Sequence, residues 1–231
     1  MNNRSSCIGI DGCPVGWVAV SRTGAWVDKS LEALLAMLAP DIVAVDMPIG
    51  LADSSARACD RAARRLLGRP RGSSVFPTPT RAALAGRSHS EASDLNAGVS
   101  GKRISAQAYN LLPKIREVDA LVTTSSHWRE RVFETHPEVC FAQMNNGAAI
   151  IESKKTGCGR AKRQGLIAAL FGATAYPGAR TALRRRDAAD DDIADAFACL
   201  FTAERIICHE HVTLPGSPEF DSCELPMRIV Y

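Results

Sequence analysis

A chain of 231 residues with 46% hydrophobic and 23% charged side chains has the composition of an ordinary globular protein, which excludes the disordered, collagen-like and coiled-coil classes and leaves one large or two small domains. Lysines and arginines number 28 against 25 acidic residues, a net charge of +3, too small to establish a polyanionic partner by itself. No stretch approaches the roughly 20 apolar residues that cross a bilayer, and the polar start from Met1 to Ser6 argues against a secretory signal, so a cytoplasmic protein without a membrane partner is expected.

The eight cysteines (Cys7, Cys13, Cys59, Cys140, Cys158, Cys199, Cys208 and Cys223) are scattered with no CxxC pair. In a reducing compartment they read as small buried hydrophobes rather than a disulfide frame. Cys208, His209 and His211 lie close together, but no second pair of zinc-ligand spacing accompanies them.

Residues 7–11 form a short apolar run ending in Asp11, broken by Gly12 and Pro14, and residues 16–20 begin another. Residues 21–24 (SRTG) read as a hairpin turn into 25–27. Residues 30–38 carry apolar side chains at helical spacing up to Pro40. Residues 42–46 are again a buried-type strand closed by an acid, Asp46. A strand that passes through a hairpin and a helix can return parallel to itself, as in α/β sheets. Asp11 and Asp46 would then stand at one sheet edge, on strands roughly 4.8 Å apart.

Between 53 and 71 there are six arginines (Arg57, Arg61, Arg64, Arg65, Arg69 and Arg71) against Asp53 and Asp60, with Arg57, Arg61 and Arg64 at helical spacing. Residues 72–80 (GSSVFPTPT) form a proline-stiffened loop whose Thr80 is placed to cap a helix starting at Arg81. Residues 86–103 read as a mobile polar loop, and 104–118 as a helix with a kink or break at Pro113. The chain is therefore expected to be a single domain, 1–231, with an inserted, mainly helical cap over 51–125. A strand returns at 131–136 and ends at Pro137. Residues 152–186 carry nine cations against Glu152, and an amphipathic helix opens at Asp190. The apolar segment 227–231 has no argued place.

The acids in costly contexts are Asp11 and Asp46 at strand ends, Glu134 inside an apolar strand, and Asp192 with Asp195 on one helical face. Several carboxylates converging beside buried strands repel one another unless a cation or specific hydrogen bonds neutralise them. Oxygen-only ligands suit Mg²⁺, and two such ions roughly 3.5–4 Å apart can activate a water and stabilise the leaving oxygen in phosphodiester cleavage. Each acid also has a bland reading. Asp11 and Asp46 can accept turn hydrogen bonds, Asp190 to Asp192 can cap a helix, and Glu134 can pair with Arg129 or Arg131.

The segments IGIDG, VAVDMPIGL, SVFPTPTR, ISAQAYNLLPKIREVD, FETHPEVCF and DDIADAFACL follow one another in an order that resembles a family of uncharacterised bacterial and archaeal proteins regarded as ribonuclease H-like nucleases, itself similar to the Holliday-junction resolvases. The resemblance covers about residues 7–205. It implies a ribonuclease H-like α/β fold: a mixed five-stranded sheet flanked by helices, with an antiparallel second strand. Asp11 resembles the first-strand acid that bridges two metals, Asp46 the fourth-strand acid, and Glu134 a fifth-strand acid of some relatives. Asp192 and Asp195 match the paired acids of the terminal helix. All five are then expected to be catalytic and to hold Mg²⁺ or Mn²⁺, two ions in all.

The implied activity is hydrolysis of phosphodiester bonds in DNA or RNA, with a homodimer conceivable from the junction-cutting analogy. Candidate substrate contacts are Arg57, Arg61, Lys154 and Lys155 from the basic runs and Thr78, Thr80 and Arg81 at an expected helix start. Gln107, Tyr109 and Asn110 join them from the shared motif. Two rivals remain: a non-catalytic nucleic-acid- or partner-binding protein on the same fold, and a nucleotide phosphotransferase or phosphohydrolase. The second is weakened because no GxxxxGK[ST] loop or duplicated lobe is evident. His136, two residues after Glu134, is a further candidate for proton transfer.

Overall fold

The computed structural model describes residues 6–231; the polar start at residues 1–5 lies outside it. Strands β1 (Cys7–Gly12), β2 (Trp17–Val20) and β3 (Ala25–Asp28) form an antiparallel meander. Helix α1 (Leu31–Leu38) starts where Ser30 Oγ accepts the Ala33 amide at 3.2 Å, and ends at Ala39 in the left-handed region just before Pro40. The chain then returns as β4 (Ile42–Val45), parallel to β1, and β5 (Val132–Glu134) adds in parallel beside β4. The order β3-β2-β1-β4-β5, with only the first three strands in an antiparallel meander, is the ribonuclease H-like arrangement expected from the sequence.

Residues between β4 and β5 supply α2 (Ala58–Leu67), α3 (His89–Ser100), α4 (Ala106–Thr124) and the single turn α5 (Ser126–Arg129). After β5 come α6 (Pro137–Met144), α7 (Gly157–Phe171), α8 (Ala175–Ala182) and α9 (Asp190–Ile207). The chain ends in a two-stranded ribbon, β6 (Thr213–Phe220) and β7 (Pro226–Val230), which gives the apolar C-terminal segment its place.

The two-residue period of a strand divides the sheet into two faces, each with its own core. Ile8 and Ile10 of β1 and Val43 and Val45 of β4 pack with Leu31, Leu34 and Leu35 of α1 and Leu112 and Ile115 of α4. On the other face, α9 brings Phe197 and Leu200 against Val139 and Phe141 of α6 and Ile167 of α7. Gly9 of β1 faces α9 directly. A Cβ there would lie 2.0 Å from the Leu200 amide nitrogen. Beside it, Ala44 of β4 packs against the small residues Cys199 and Ala203 of α9, with Cys7 and Ile42 at the margin. Small side chains at these points let the helix lie flat on the two central strands.

Several elements differ from the sequence expectation. The stretch expected to be a mobile loop contains α3. Ser88 Oγ accepts the Glu91 amide at 3.2 Å, Glu91 accepts the Arg87 amide at 2.8 Å, and Ala92 and Asn96 are buried. Helix α4 runs through Pro113 to Thr124, because Leu112, Ile115, Val118, Leu121 and Val122 keep one continuous buried face across the proline. Thr80 caps nothing. Its hydroxyl donates to Asn96 Oδ1 at 2.9 Å, and the turn that follows, Arg81–Ala85, is a 3-10 helix. Cys158 and Cys208 are exposed, whereas Cys13, Cys59, Cys140 and Cys199 are buried as expected, and all eight are free. No helix of the described residues is long and apolar enough to cross a membrane.

Candidate metal centre

Asp11 shares the side of β1 that carries Gly9, and Asp46 follows Val45 on the side that carries Ala44, so alternation aims both carboxylates at α9. The parallel ladder continues one step beyond β4, with the Asp46 amide donating to Ile10 O at 3.0 Å. Asp195 stands in the second turn of α9, next to Ala196, whose carbonyl is pressed against Gly9. One carboxylate oxygen from each of Asp11, Asp46 and Asp195 lies within 4.8 Å of the others.

The electrostatics of this trio are severe. Asp11 is 9% exposed and Asp195 3% exposed. Burial, then the neighbouring Asp46 and Asp195, push the Asp11 carboxyl well above the usual carboxylate range. Burial raises Asp46 and Asp195 to about 7, each against the pull of Lys154. Asp11 Oδ1 accepts the Gly12 amide at 2.7 Å. Asp195 Oδ2 accepts from Lys154 Nζ at 2.5 Å, while its Oδ1 is buried with no partner. Three hard oxygen donors, one of them an unsatisfied acceptor, fit a hard divalent cation, and a cation is what would let all three ionise together at neutral pH.

Asp192 and Glu134 have other partners. Asp192 lines the same cleft, with its carboxyl raised by burial, but its Oδ2 is taken by the Ala189 amide at 2.8 Å at the start of α9. It therefore stands at the rim. Glu134 is paired in register with Val45 rather than with Asp46, and strand alternation sends its carboxylate away from the trio. It accepts two N–H groups of Arg57 at 2.7 and 2.6 Å and the Ile49 amide at 2.7 Å. Arg57 is 2% exposed and also binds Asp60 at 2.6 Å and the carbonyls of Ile49 and Gly50. Its donors are turned inward, so the structure does not bring it to a phosphate. Cys59, Asp60 and Glu134 also lie close enough to share an ion, but the guanidinium of Arg57 already supplies the positive charge there.

The remaining candidates divide in the same way. Gln107 and Lys154 line the cleft. Lys155 is exposed and pairs with Asp191 at 3.1 Å. Arg61 is exposed and donates to Ala56 O. Arg81 is tied to Asp119 at 3.0 Å and Asp221 at 2.5 Å. Thr80 is buried, and the Thr78 amide points to Asp60 at 3.4 Å. Tyr109 donates to Arg87 O at 3.3 Å and its ring lies 5.3 Å from that of His89, while Asn110 is exposed. None of these last seven lines the cleft with the trio.

The cleft has a volume of about 420 Å³. The acids form one part of its wall, and the rest includes Arg71, Lys114, Phe76, Leu111 and His136. Lys114 was not singled out by the sequence, although Gln107, Leu111 and Lys114 repeat at helical spacing. Its stem crosses Gly12, where a Cβ would meet Lys114 Cε at 2.7 Å, and its Nζ donates to Cys13 O at 3.3 Å. Glu138 was likewise not singled out by the sequence. It is 5% exposed, accepts from Arg163 at 2.8 and 2.7 Å, and pairs with Arg71 at 2.8 Å. His136 donates through Nε2 to Ser74 O at 3.4 Å, leaving Nδ1 buried without a partner. Burial keeps its pKa below that of a free imidazole.

Fold and site together define an α/β protein with a ribonuclease H-like sheet and a candidate acidic metal centre. The family described as "Protein of unknown function (DUF429)" matches residues 9–220, and the chain belongs to that family. The match includes Asp11, Asp46 and Asp195. No curated protein and no solved structure matches the chain.

Proposed function

We propose that the protein is a divalent-metal-dependent nuclease that hydrolyses phosphodiester bonds in DNA or RNA. The observation that carries this reading is the convergence of Asp11, Asp46 and Asp195 within 4.8 Å on a ribonuclease H-like sheet, with a buried Asp195 oxygen left unpartnered. These three would hold Mg²⁺ or Mn²⁺, with Asp192 at the rim available to a second ion. A bound ion would supply positive charge for acidifying a water and for stabilising the leaving oxygen.

The chain's own groups account for the rest. Lys114 and Arg71 in the cleft wall offer cations to the phosphates flanking the reacting one. Phe76 and Leu111 present an apolar surface on which a base can stack, a contact available to any base. His136, whose Nδ1 has no hydrogen-bond partner, is a group of the wall suited to accept a proton.

The test is cleavage of DNA and RNA, single-stranded and duplex, by the purified protein with Mg²⁺ or Mn²⁺ and with chelator. Metal-dependent cleavage that is lost in Asp11→Asn, with the circular dichroism spectrum intact, is the expected result. Cleavage that survives in Asp11→Asn would exclude this centre as its source. A second reading, a nucleotide phosphohydrolase using the same acids, is favoured by the modest cleft of about 420 Å³, within the usual size range of small-molecule sites. Phosphate release from a panel of nucleotides separates the two.

A further inference from the structure

We infer that Lys154 is the built-in counter-ion of the acidic centre: it occupies Asp195 when no metal is bound, competes with a divalent ion for that carboxylate, and gives it up when the ion binds. This rests on the metal-centre reading above and concerns how that centre is controlled.

Four observations lead to it. The first is proximity. Lys154 Nζ lies 2.5 Å from Asp195 Oδ2, on a member of the trio whose three oxygens sit within 4.8 Å of one another. The second is the chemistry of the group. An ammonium has three donors and no acceptor, so it cannot join the acids as a metal ligand and can only stand in for the ion. It is also an incomplete substitute, because Asp195 Oδ1 stays buried and unpartnered beside it.

The third observation is a second resting place. Asp191 lies one turn before Asp195 on α9, and its Oδ2 is 3.7 Å from the same Nζ. Rotation of a flexible four-carbon stem would carry the charge from Asp195 to Asp191 without moving the helix. Lys154 is about a third exposed, 34% against 4% for Asp195, so its way out of the centre is open. The fourth observation is that the backbone bearing Lys154 is fixed. The Thr156 amide and hydroxyl both donate to Ser153 O at 2.9 Å, and Arg163 Nη1 donates to Glu152 O at 3.1 Å. Gly159 allows this turn to press against α7, where a Cβ would meet Ser153 O at 2.0 Å. The fixed loop returns the lysine to the same place each time, and only the side chain has to move.

Once displaced, Lys154 remains at the cleft wall beside Asp191 as a cation for an incoming phosphate. The centre would thus exchange an internal positive charge for an external one and keep its acids neutralised in both states.

The experiment uses the full chain with Lys154→Met, which keeps the stem and removes the charge. Mn²⁺ binding is measured by calorimetry at neutral pH, and thermal unfolding is followed with and without Mn²⁺. The expected result is Mn²⁺ affinity higher by about tenfold or more, as removing a unit charge a few ångströms from the ion implies. The metal-free variant should melt below wild type, with the gap closing at saturating Mn²⁺. Equal or weaker Mn²⁺ binding by the variant overturns the inference while leaving the metal centre standing. Mn²⁺ binding by neither protein overturns both. If the metal-free variant does not fold, wild-type protein still decides. Labelling with an amine-selective reagent, read by mass spectrometry, should find Lys154 protected without Mn²⁺ and reactive with it. Unchanged reactivity overturns the inference.

Discussion

Gly9 lies directly against Ala196 where helix meets sheet on the site-bearing face: a Cβ on Gly9 would lie 2.1 Å from the Ala196 carbonyl oxygen. The neighbour of Ala196 in sequence is Asp195, and Asp11 is two residues beyond Gly9 on the same side of β1. The missing side chain at position 9 thereby sets the distance at which two of the three acids meet.

Gly9→Ala should accordingly damage both fold and site. The atoms it would strike are backbone atoms of α9, which cannot rotate away as a side chain could, so a cost of about 3 kcal/mol or more, the upper range for overpacking, is expected. Guanidinium unfolding measures it, and Mn²⁺ calorimetry should show weakened binding in whatever fraction folds. Gly165→Ala serves as the control. It lies inside α7 with nothing within 4 Å of an added Cβ, and should stabilise by about 0.5–1 kcal/mol through helix propensity. Equal effects of the two substitutions would refute the close-packing argument.

The metal-free protein should lose stability as pH rises from about 4 to about 7. Asp46 and Asp195 have pKa values raised from 3.8 to about 7 in the folded state, so the native protein binds more protons than the unfolded chain across this window. Stability falls with pH wherever that holds. It is fully present below the unfolded-state values and is lost as the folded carboxyls ionise. Melting temperature measured in chelator should decline over this range, and Mn²⁺ should flatten the decline by neutralising the ionised acids. In Asp195→Asn the metal-free slope should be shallower. A melting temperature rising steadily from pH 4 to pH 7 in chelator would contradict the electrostatic picture of the trio.

Glu134 and Asp11 are both buried acids at strand ends, but they should respond oppositely to loss of charge. Glu134→Gln leaves the Arg57 guanidinium, 2% exposed, without its bidentate partner. Breaking a buried pair in this way costs about 3–5 kcal/mol. Mn²⁺ affinity of the folded protein should be unchanged, since the trio keeps all its oxygens. Asp11→Asn should instead abolish Mn²⁺ binding and raise metal-free stability by relieving repulsion. Calorimetry and urea unfolding on the two variants separate the roles, and loss of Mn²⁺ binding in well-folded Glu134→Gln would return Glu134 to the metal site.

The contrast shows where sequence reasoning reached and where it stopped. Asp11 and Asp46 were legible because two apolar strands, a hairpin and a helix between them leave few ways to return, and parallel return puts both strand ends at one edge. Asp195 was legible as a charge too deep in an apolar helix to be a cap. Glu134 was read by the same logic, yet its partner Arg57 is 77 residues away in sequence, and only the register of β5 against β4 reveals that it leaves the sheet on the other side. The polar residues of α3 disguised a helix whose Ser88 and Glu91 are nonetheless a recognisable start. Lys114 was hidden by its neighbour Pro113, which suggested a break where packing on Leu112 and Ile115 sustains the helix. In each of these misses, long-range contacts outweighed a local signal.

Lys114 offers the cleanest test of nucleic-acid contact, because it lines the cleft and, among the described residues, its polar partner is an uncharged group, the Cys13 carbonyl at 3.3 Å. Arg71, by comparison, is committed to Glu138 at 2.8 Å, so replacing it would also disturb a buried pair. If Lys114 neutralises one phosphate, Lys114→Gln should weaken binding of an oligonucleotide and reduce the dependence of log affinity on log salt by about 0.9 for duplex DNA or about 0.7 for a single strand. Fluorescence anisotropy at a series of salt concentrations, with Ca²⁺ in place of Mg²⁺ to hold turnover low, gives both quantities. The substitution also removes the cation 5.4 Å above the Trp17 ring, so melting temperature must be compared alongside. A variant that melts like wild type but binds with an unaltered salt slope would take Lys114, and with it the proposed phosphate-holding wall, out of the nucleic-acid contact.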